Sequence, residues 1–360
     1  MRRTDPIKVL IVDDSALVRS ILSRVLAEEG DIEVVAGAKD PYDARERIIE
    51  HRPNVIILDI AMPRMDGLTF LKKLMVHYPV PVIMCSGVAP SNSRTALEAI
   101  ECGAVDVVAK PTAGGSEALR RLGEDLADKI RAAAVSMPVP PPIPPTAAAP
   151  PQPFRSTGLD PRRYLVAIGA STGGTEAIRH VLTHLPNDFP PIVMVQHMPP
   201  EFTRSFAERL DQLSQLTVRE AVDGDILEPG KALLARGDTQ MAVKVAGARW
   251  RIAYGDSTPV NRHCPSVDVL FASVARRTGK WAVGILLTGM GADGANGLLN
   301  MREAGAITVA QDKRSCVVYG MPKVAADLGA VQHVAALRDI PSTLIRALRK
   351  RDREPLILQR

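Results

Sequence analysis

The sequence predicts two doubly wound α/β domains, each built on a parallel sheet, joined by a proline-rich linker. Three observations carry this prediction. The 360 residues exceed what one ordinary core fills, at roughly 150 residues per domain. Short apolar, β-branched runs alternate with segments of helical spacing, the pattern of strands buried on both faces of a sheet. Between Pro138 and Pro153 stand nine of the chain's 29 prolines. Such a stretch cannot donate regular backbone hydrogen bonds and tends to polyproline II, a semi-rigid spacer, although a proline-motif ligand has the same composition.

In chain order, strands are expected at 9–12, 32–35, 55–58, 82–84 and 105–108. Helical segments lie near 17–26, 44–49, 68–74 and 94–100. A helix over 116–134, with Leu119, Leu122, Leu126 and Ile130 on one face, closes the first domain. After the linker come a strand at 164–168, a helix at 175–185 and strands at 192–196 and 281–287. The expected boundaries are 1–134 for the first domain, 135–160 for the linker, 161–350 for the second domain and 351–360 for a C-terminal tail.

Composition removes several function classes. With 46% hydrophobic and 24% charged residues, most of the chain can bury a core. No apolar run reaches the ~18 residues of a membrane span, and the basic start is followed by no signal-peptide core. The four cysteines, Cys85, Cys102, Cys264 and Cys316, form no C-x-x-C pair, which fits a reducing cytosol rather than a disulfide framework or thiolate metal site. The net charge of +5 is uneven: residues 1–130 carry 17 Lys and Arg against 20 Asp and Glu, the remainder 28 against 20. Without an aromatic-interleaved basic stripe or a helix-turn-helix pattern, nucleic-acid binding is not expected. The basic second half leans toward an acidic protein partner.

In a doubly wound sheet the chemistry gathers at the carboxyl ends of the strands. In the first domain those ends carry Asp13-Asp14, Asp59, Ser86 and Lys110-Pro111. A single such aspartate is often a helix cap. Three carboxylates converging at strand ends repel one another unless a cation joins them, and oxygen-only ligands suit Mg²⁺. The stretches Ile11-Val12-Asp13-Asp14-Ser15, Leu58-Asp59-Ile60-Ala61-Met62-Pro63-Arg64-Met65-Asp66-Gly67 and Lys110-Pro111 resemble the receiver domain of two-component response regulators, over residues 6 to about 130. The resemblance implies a flavodoxin-like fold in which Asp59 accepts a phosphoryl group from a histidine kinase. Asp13 and Asp14 would hold Mg²⁺ with Asp59, Ser86 would bond the phosphoryl oxygen and Lys110 would pair with its charge. One departure stands out: the family's usual aromatic switch, three residues before Lys110, is Val107 here. The loop after Ser86 is then the expected relay.

The second domain opens with Gly169-Ala170-Ser171-Thr172-Gly173-Gly174, a G-x-S-x-G at a strand-to-helix turn. That is the context of a nucleophile elbow, with a helix N-terminus to favour a developing oxyanion. Read alone, the same residues could be a phosphate loop or a plain turn. His197 follows the next strand and can serve Ser171 as general base. His51 and His77 belong to the first domain, His180 and His184 to a helix face, and His263 and His333 have no comparable position. Asp293 is the one carboxylate in the turn Thr288–Ala295. The run Gly289-x-Gly291-x-x-Gly294 also fits a dinucleotide fingerprint, but Asp312 is the nearest acidic partner and the motif alone is weak. The order Ser…His…Asp differs from that of the α/β-hydrolases and the serine proteases, so those folds do not transfer.

The blocks at 169–175, Val195-Gln196-His197-Met198-Pro199, 287–294 and Tyr319-Gly320-Met321-Pro322 resemble, in the same order, the protein-glutamate methylesterase domain, over about 160–350. The resemblance implies a Rossmann-like domain with Ser171 as nucleophile, His197 as base and Asp293 orienting it. Backbone N–H groups of Thr172 and Met290 would form the oxyanion hole. It also implies a substrate, the glutamate γ-methyl esters on chemoreceptor helices, with glutamine deamidation as a second activity in chemotactic adaptation. No cofactor is expected for the esterase, and Mg²⁺ is expected for the receiver alone. The implied protein is cytoplasmic and monomeric, takes phosphoryl groups from a histidine kinase and neither enters the membrane nor binds nucleic acid. The competing class is a phosphorylation-controlled binding module in which Ser171 only shapes a turn. A second alternative keeps the esterase on receptor arrays that control another surface behaviour.

Overall fold

The computed structural model describes residues 5–87, 90–110, 116–136, 158–247 and 249–353. The proline-rich stretch 138–153 lies outside them. The chain divides into two compact units, Met1–Ala147 and Ala148–Arg360.

In the first unit the elements alternate as the apolar runs predict: β1 (Ile7–Val12), α1 (Ala16–Leu26), β2 (Ile32–Ala38), α2 (Pro41–His51), β3 (Val55–Asp59), α3 (Gly67–His77), β4 (Val82–Ser86), α4 (Pro90–Glu101), β5 (Asp106–Ala109) and α5 (Ser116–Val135). The sheet order is β2-β1-β3-β4-β5, with every pairing parallel. The helices begin where polar caps precede them. Ser15 accepts from the Val18 N–H, Asp40 from Tyr42 and Asp43, and Asp66 from Thr69. Register then assembles the strand ends. Val12 pairs with Leu58, Asp59 with Cys85 and Ser86 with Ala109, so Asp13, Asp59, Ser86 and Lys110 fall side by side. Several elements run further than the sequence spacing indicates, β2 by reaching Ala38 and α2 by starting at a proline in its first turn. Val107 lies buried in β5 opposite Met84.

The second unit contains β6 (Leu165–Ala170), α6 (Gly174–Thr183), β7 (Ile192–Gln196), α7 (Pro200–Leu213), β8 (Thr217–Glu220), β9 (Lys231–Leu234), β10 (Met241–Ala246), β11 (Arg249–Tyr254), α8 (Val267–Thr278), β12 (Ala282–Leu286), α9 (Ala295–Glu303), β13 (Ile307–Gln311), α10 (Met321–Asp327), β14 (His333–Ala335) and α11 (Ile340–Arg353). Seven strands form one parallel sheet in the order β14-β13-β12-β6-β7-β9-β8, and β10 and β11 pair as a separate antiparallel hairpin. The chain goes from β6 outward to β7, and later returns to place β12 on the other side of β6. Such a reversal opens a crevice at the carboxyl ends of the strands. Leu165, Ala167, Val193, Val195, Leu286 and Phe271 belong to the core that holds these strands. α11 continues through Arg353, into the stretch expected as a tail.

One buried ion pair in the first unit was not legible in the sequence. Lys129 of α5 lies 3.0 Å from Asp106 at the start of β5, both side chains being under a tenth exposed. Burial alone would lower the lysine's pKa, but Asp106 and Asp125 reverse that and keep it charged. Removing one member leaves the other charged and unpaired in the core. Lys129→Ala should therefore destabilise the first unit by about 3 kcal/mol or more, read from a denaturant titration followed by circular dichroism. Loss of less than about 0.5 kcal/mol, the range of an ordinary surface change, would show that the pair is not buried in solution.

Candidate active site

The carboxyl ends of β1 and β3 bring Asp13, Asp14 and Asp59 together, with carboxylate oxygens within 4.8 Å of one another. Asp13 and Asp59 are buried and Asp14 is exposed. Lys110 reaches over both buried carboxylates, its Nζ 2.8 Å from Asp13 Oδ2 and 2.8 Å from Asp59 Oδ2. Burial, then the neighbouring Asp13, push the Asp59 carboxyl up, while Lys110 opposes them. Three carboxylates facing one ammonium leave an excess of negative charge among hard oxygen donors, which fits Mg²⁺. Backbone groups fix the two buried acids: Ser15 N–H donates to Asp13 Oδ1 at 2.9 Å and Ala61 N–H to Asp59 Oδ1 at 3.3 Å. Ser86 is buried, and its Oγ donates to the Gly87 carbonyl. Of the loop expected as the relay, residues 88–89 lie outside the described residues.

In the second unit, β12, β6 and β7 are adjacent, and Asp293, Ser171 and His197 follow their carboxyl ends. Ala170 pairs with Gln196, and the His197 N–H bonds the Ala170 carbonyl at 3.1 Å. The Ser171 N–H bonds the Thr288 carbonyl at 3.0 Å. The Ser171 turn is thus tied to both neighbouring strand ends. Gly173 has φ of 76°, a left-handed conformation that lets the turn be sharp, and its Cβ would lie 2.5 Å from Val317. A Cβ on Gly289 would lie 2.7 Å from the Ser171 Cβ and 2.3 Å from Met321 Sδ. This explains why Gly320 and Met321 belong with the site: their N–H groups both bond the Gly289 carbonyl, holding the turn against Ser171.

The most developed hydrogen bonding surrounds Asp293. This carboxylate is 2% exposed and accepts five hydrogen bonds. His197 Nε2–H donates to Oδ2 at 2.9 Å, as does the Val267 N–H at 2.7 Å. Asn261 Nδ2 and Ser266 Oγ donate to Oδ1, each at 2.7 Å, and the Asp268 N–H adds a longer bond of 3.3 Å. Burial alone would raise the carboxyl's pKa. The bond and charge of His197, with the Asn261 and Ser266 donors, overcome that and hold it well below the usual carboxylate range. The bond assigns the imidazole proton to Nε2, and Nδ1 is left buried with no partner within the protein.

The expectations meet the geometry unevenly. A hydrogen bond joins His197 and Asp293. No hydrogen bond joins Ser171 Oγ to His197, whose one free nitrogen is Nδ1. Thr172 sits buried in the turn with its carbonyl bonded by the Thr288 hydroxyl at 3.0 Å, and Met290 follows Gly289. Among the described residues, the N–H groups of Thr172 and Met290 donate to no protein acceptor.

Sequence reasoning missed the supports of the site. Gln196 Nε2 donates to the carbonyls of both Ser171 (2.9 Å) and His197 (3.1 Å). Gln311 Oε1 accepts the Thr288 N–H at 2.9 Å. Both glutamines end apolar strands, the one signal that could have found them. His263, which the sequence gives no position comparable to that of His197, stacks on His197 with ring centroids 3.7 Å apart and planes at 12°.

Comparisons with known proteins agree with this division. Residues 166–344 match the CheB methylesterase family, and residues 9–121 match the response regulator receiver domain. The protein-glutamate methylesterase/protein-glutamine glutaminase of Chromohalobacter salexigens is 50% identical over 347 residues, covering 95% of this chain and 96% of its own. That of Photorhabdus laumondii is 51% identical over 328 residues, covering 91% and 93%. The crystal structure of the Thermotoga maritima CheB methylesterase catalytic domain is 38% identical, with a TM-score of 0.50, over 51% of this chain and 98% of that one.

The depressed Asp293 pKa carries a signed consequence. A carboxyl whose folded-state value lies below its unfolded value of about 3.9 stabilises the fold above that pH, and loses the contribution as the pH falls toward the folded value. Asp293→Ala strands several buried donors and should cost about 3 kcal/mol at pH 7. The gap to wild type should narrow below about pH 4. Denaturant titrations of both proteins on either side of that pH check it; a gap that does not narrow below it would contradict the assignment.

Proposed function

This chain belongs to the protein-glutamate methylesterase family, and on that premise we propose that Ser171, His197 and Asp293 hydrolyse glutamate γ-methyl esters on chemoreceptors under control of phosphorylation at Asp59. The observation that carries the reading is the buried Asp293–His197 bond on the strand beside Ser171, at the sheet's reversal point. With its proton held on Nε2, His197 presents the Nδ1 lone pair as the base. Ser171 Oγ attacks the ester carbonyl as Nδ1 takes its proton, and the oxyanion faces the N–H groups of Thr172 and Met290. The new imidazolium is stabilised by the Asp293 carboxylate. It returns the proton to the departing methoxide, which leaves as methanol. Water then attacks the glutamyl ester of Ser171 with His197 again as base, releasing glutamate and restoring the serine. A glutamine side chain follows the same path with ammonia as leaving group.

In the receiver, Asp13, Asp14 and Asp59 would hold Mg²⁺, which supplies charge neutralisation for phosphoryl transfer. The Asp59 carboxylate attacks the phosphorus of a kinase phosphohistidine, the P–N bond breaks, and Lys110 pairs with the transferred charge. Ser86 Oγ must turn from the Gly87 carbonyl to bond a phosphoryl oxygen. Val107 offers no ring to swing, so the reading has no aromatic relay. Among the described residues no helix is long and apolar enough to cross a membrane. The same reading has the enzyme acting in the cytoplasm, as a monomer, on receptor helices.

Ser171→Ala should fold as wild type, because the turn's constraints come from its glycines and backbone bonds. It should lose methanol release from methyl-labelled receptor membranes by about 10³-fold or more. Near wild-type release would overturn the triad. With Mg²⁺ and a small phosphodonor, Asp59 should become a hydroxylamine- and base-labile aspartyl phosphate and esterase activity should rise. Asp59→Asn should show neither effect, and undiminished phosphorylation of that variant would show the acceptor to be another residue.

A further inference from the structure

We propose that the turn Val260–His263 is a positioning device for the acid–base pair, with Asn261 fixing the Asp293 carboxylate and His263 fixing the plane of the His197 ring. The inference rests on the triad reading above and assigns further residues to the same reaction. The turn is a strained one. Val260 and His263 exchange both backbone bonds, N–H to carbonyl at 3.0 and 2.9 Å, closing a two-residue loop. Its central residues, Asn261 and Arg262, both have positive φ, 53° and 69°. That is the pattern of a type I′ turn, which favours Asn followed by Gly; here the second position is an arginine. Successive non-glycine residues in the left-handed region persist where the surroundings dictate them, and such strain gathers at functional sites.

The surroundings do dictate it. Gln240 is buried, and its side chain clamps the segment from behind. Nε2 donates to the carbonyls of Thr258 and His263, each at 3.0 Å, and Oε1 accepts the Ser266 N–H at 2.8 Å. The turn is thereby pinned on both sides with its two side chains aimed at the pair. Asn261 Nδ2 uses one hydrogen on Asp293 Oδ1 and the other on Asp268 Oδ2, both at 2.7 Å, so one amide bridges two carboxylates that would otherwise repel.

His263 lies flat on His197 at 3.7 Å. The Asp293 bond fixes only the position of Nε2, and the imidazole could still rotate about that bond. A parallel ring against its face removes the rotation and keeps Nδ1 at one angle. In the transition state the same ring presents a π face to the imidazolium. A misaligned base costs rate rather than affinity, because the substrate touches Ser171 and the oxyanion donors instead.

The test is steady-state methanol release by the full chain from methyl-labelled receptor membranes. His263→Ala should lower kcat about 10- to 100-fold with KM changed by less than about 3-fold, while His263→Phe, which keeps a flat ring, recovers most of the loss. Asn261→Asp, the same shape with a third carboxylate in place of the donor, should lose more kcat than Asn261→Ala. Circular dichroism showing the four variants folded at the assay temperature places the losses in the reaction. A His263→Ala kcat within about 2-fold of wild type, beside an inactive Ser171→Ala control, overturns the positioning role and leaves the triad standing. So does an equal loss in the Ala and Phe variants. Activity retained by Ser171→Ala overturns the triad and this inference with it.

Discussion

One buried carboxylate organises the second unit. Asp293 accepts bonds from a side chain on the β7 loop, from the 261–266 segment and from the first turn of α8. Taking a charge from water into a core costs several kcal/mol unless donors replace the lost hydration. Five donors do so here, and in doing so they fix elements far apart in the sequence to one point. The acceptor of that network also bonds His197, at the strand end beside the serine turn. The same oxygen atoms therefore tie these elements together and set the tautomer of His197.

The receiver handles buried charge differently. Asp13 and Asp59 share a single ammonium, Lys110, so negative charge remains in excess and a cation has a place. The first unit is thus built to change its charge, and the second to keep its charge fixed. That contrast suits a regulated enzyme, in which the input site must respond to a phosphoryl group while the catalytic site stays preorganised.

The parallel sheets and the strand-end residues were legible because buried strands announce themselves by continuous apolar runs and their chemistry follows directly after. Ile192–Gln196, which ends just before His197, was read to the residue. The stretch from Thr217 to Tyr254 was not read: Thr217–Glu220 and Lys231–Leu234 are short, and Met241–Ala246 and Arg249–Tyr254 form a separate antiparallel hairpin outside the strand–helix alternation. The supports of the active site were hidden for another reason. Asn261, His263 and Ser266 lie in a polar loop with no periodicity, and their roles come from meeting Asp293 and His197 in space. Gln240 and Gln311 look like ordinary polar residues until tertiary structure buries them against backbone groups. His197 was read as a base able to reach Ser171; the structure joins it by a hydrogen bond to Asp293 and not to Ser171.

The central claim is that Asp293 holds the His197 proton on Nε2 and leaves Nδ1 as the base. Long-range proton–nitrogen NMR of the uniformly ¹⁵N-labelled protein at neutral pH reads it directly, with His197→Gln identifying the signals. The account predicts a protonated, pyrrole-type Nε2 and an unprotonated, pyridine-type Nδ1, with this pattern lost in Asp293→Asn. A proton on Nδ1 and a bare Nε2 in the wild-type protein would contradict it.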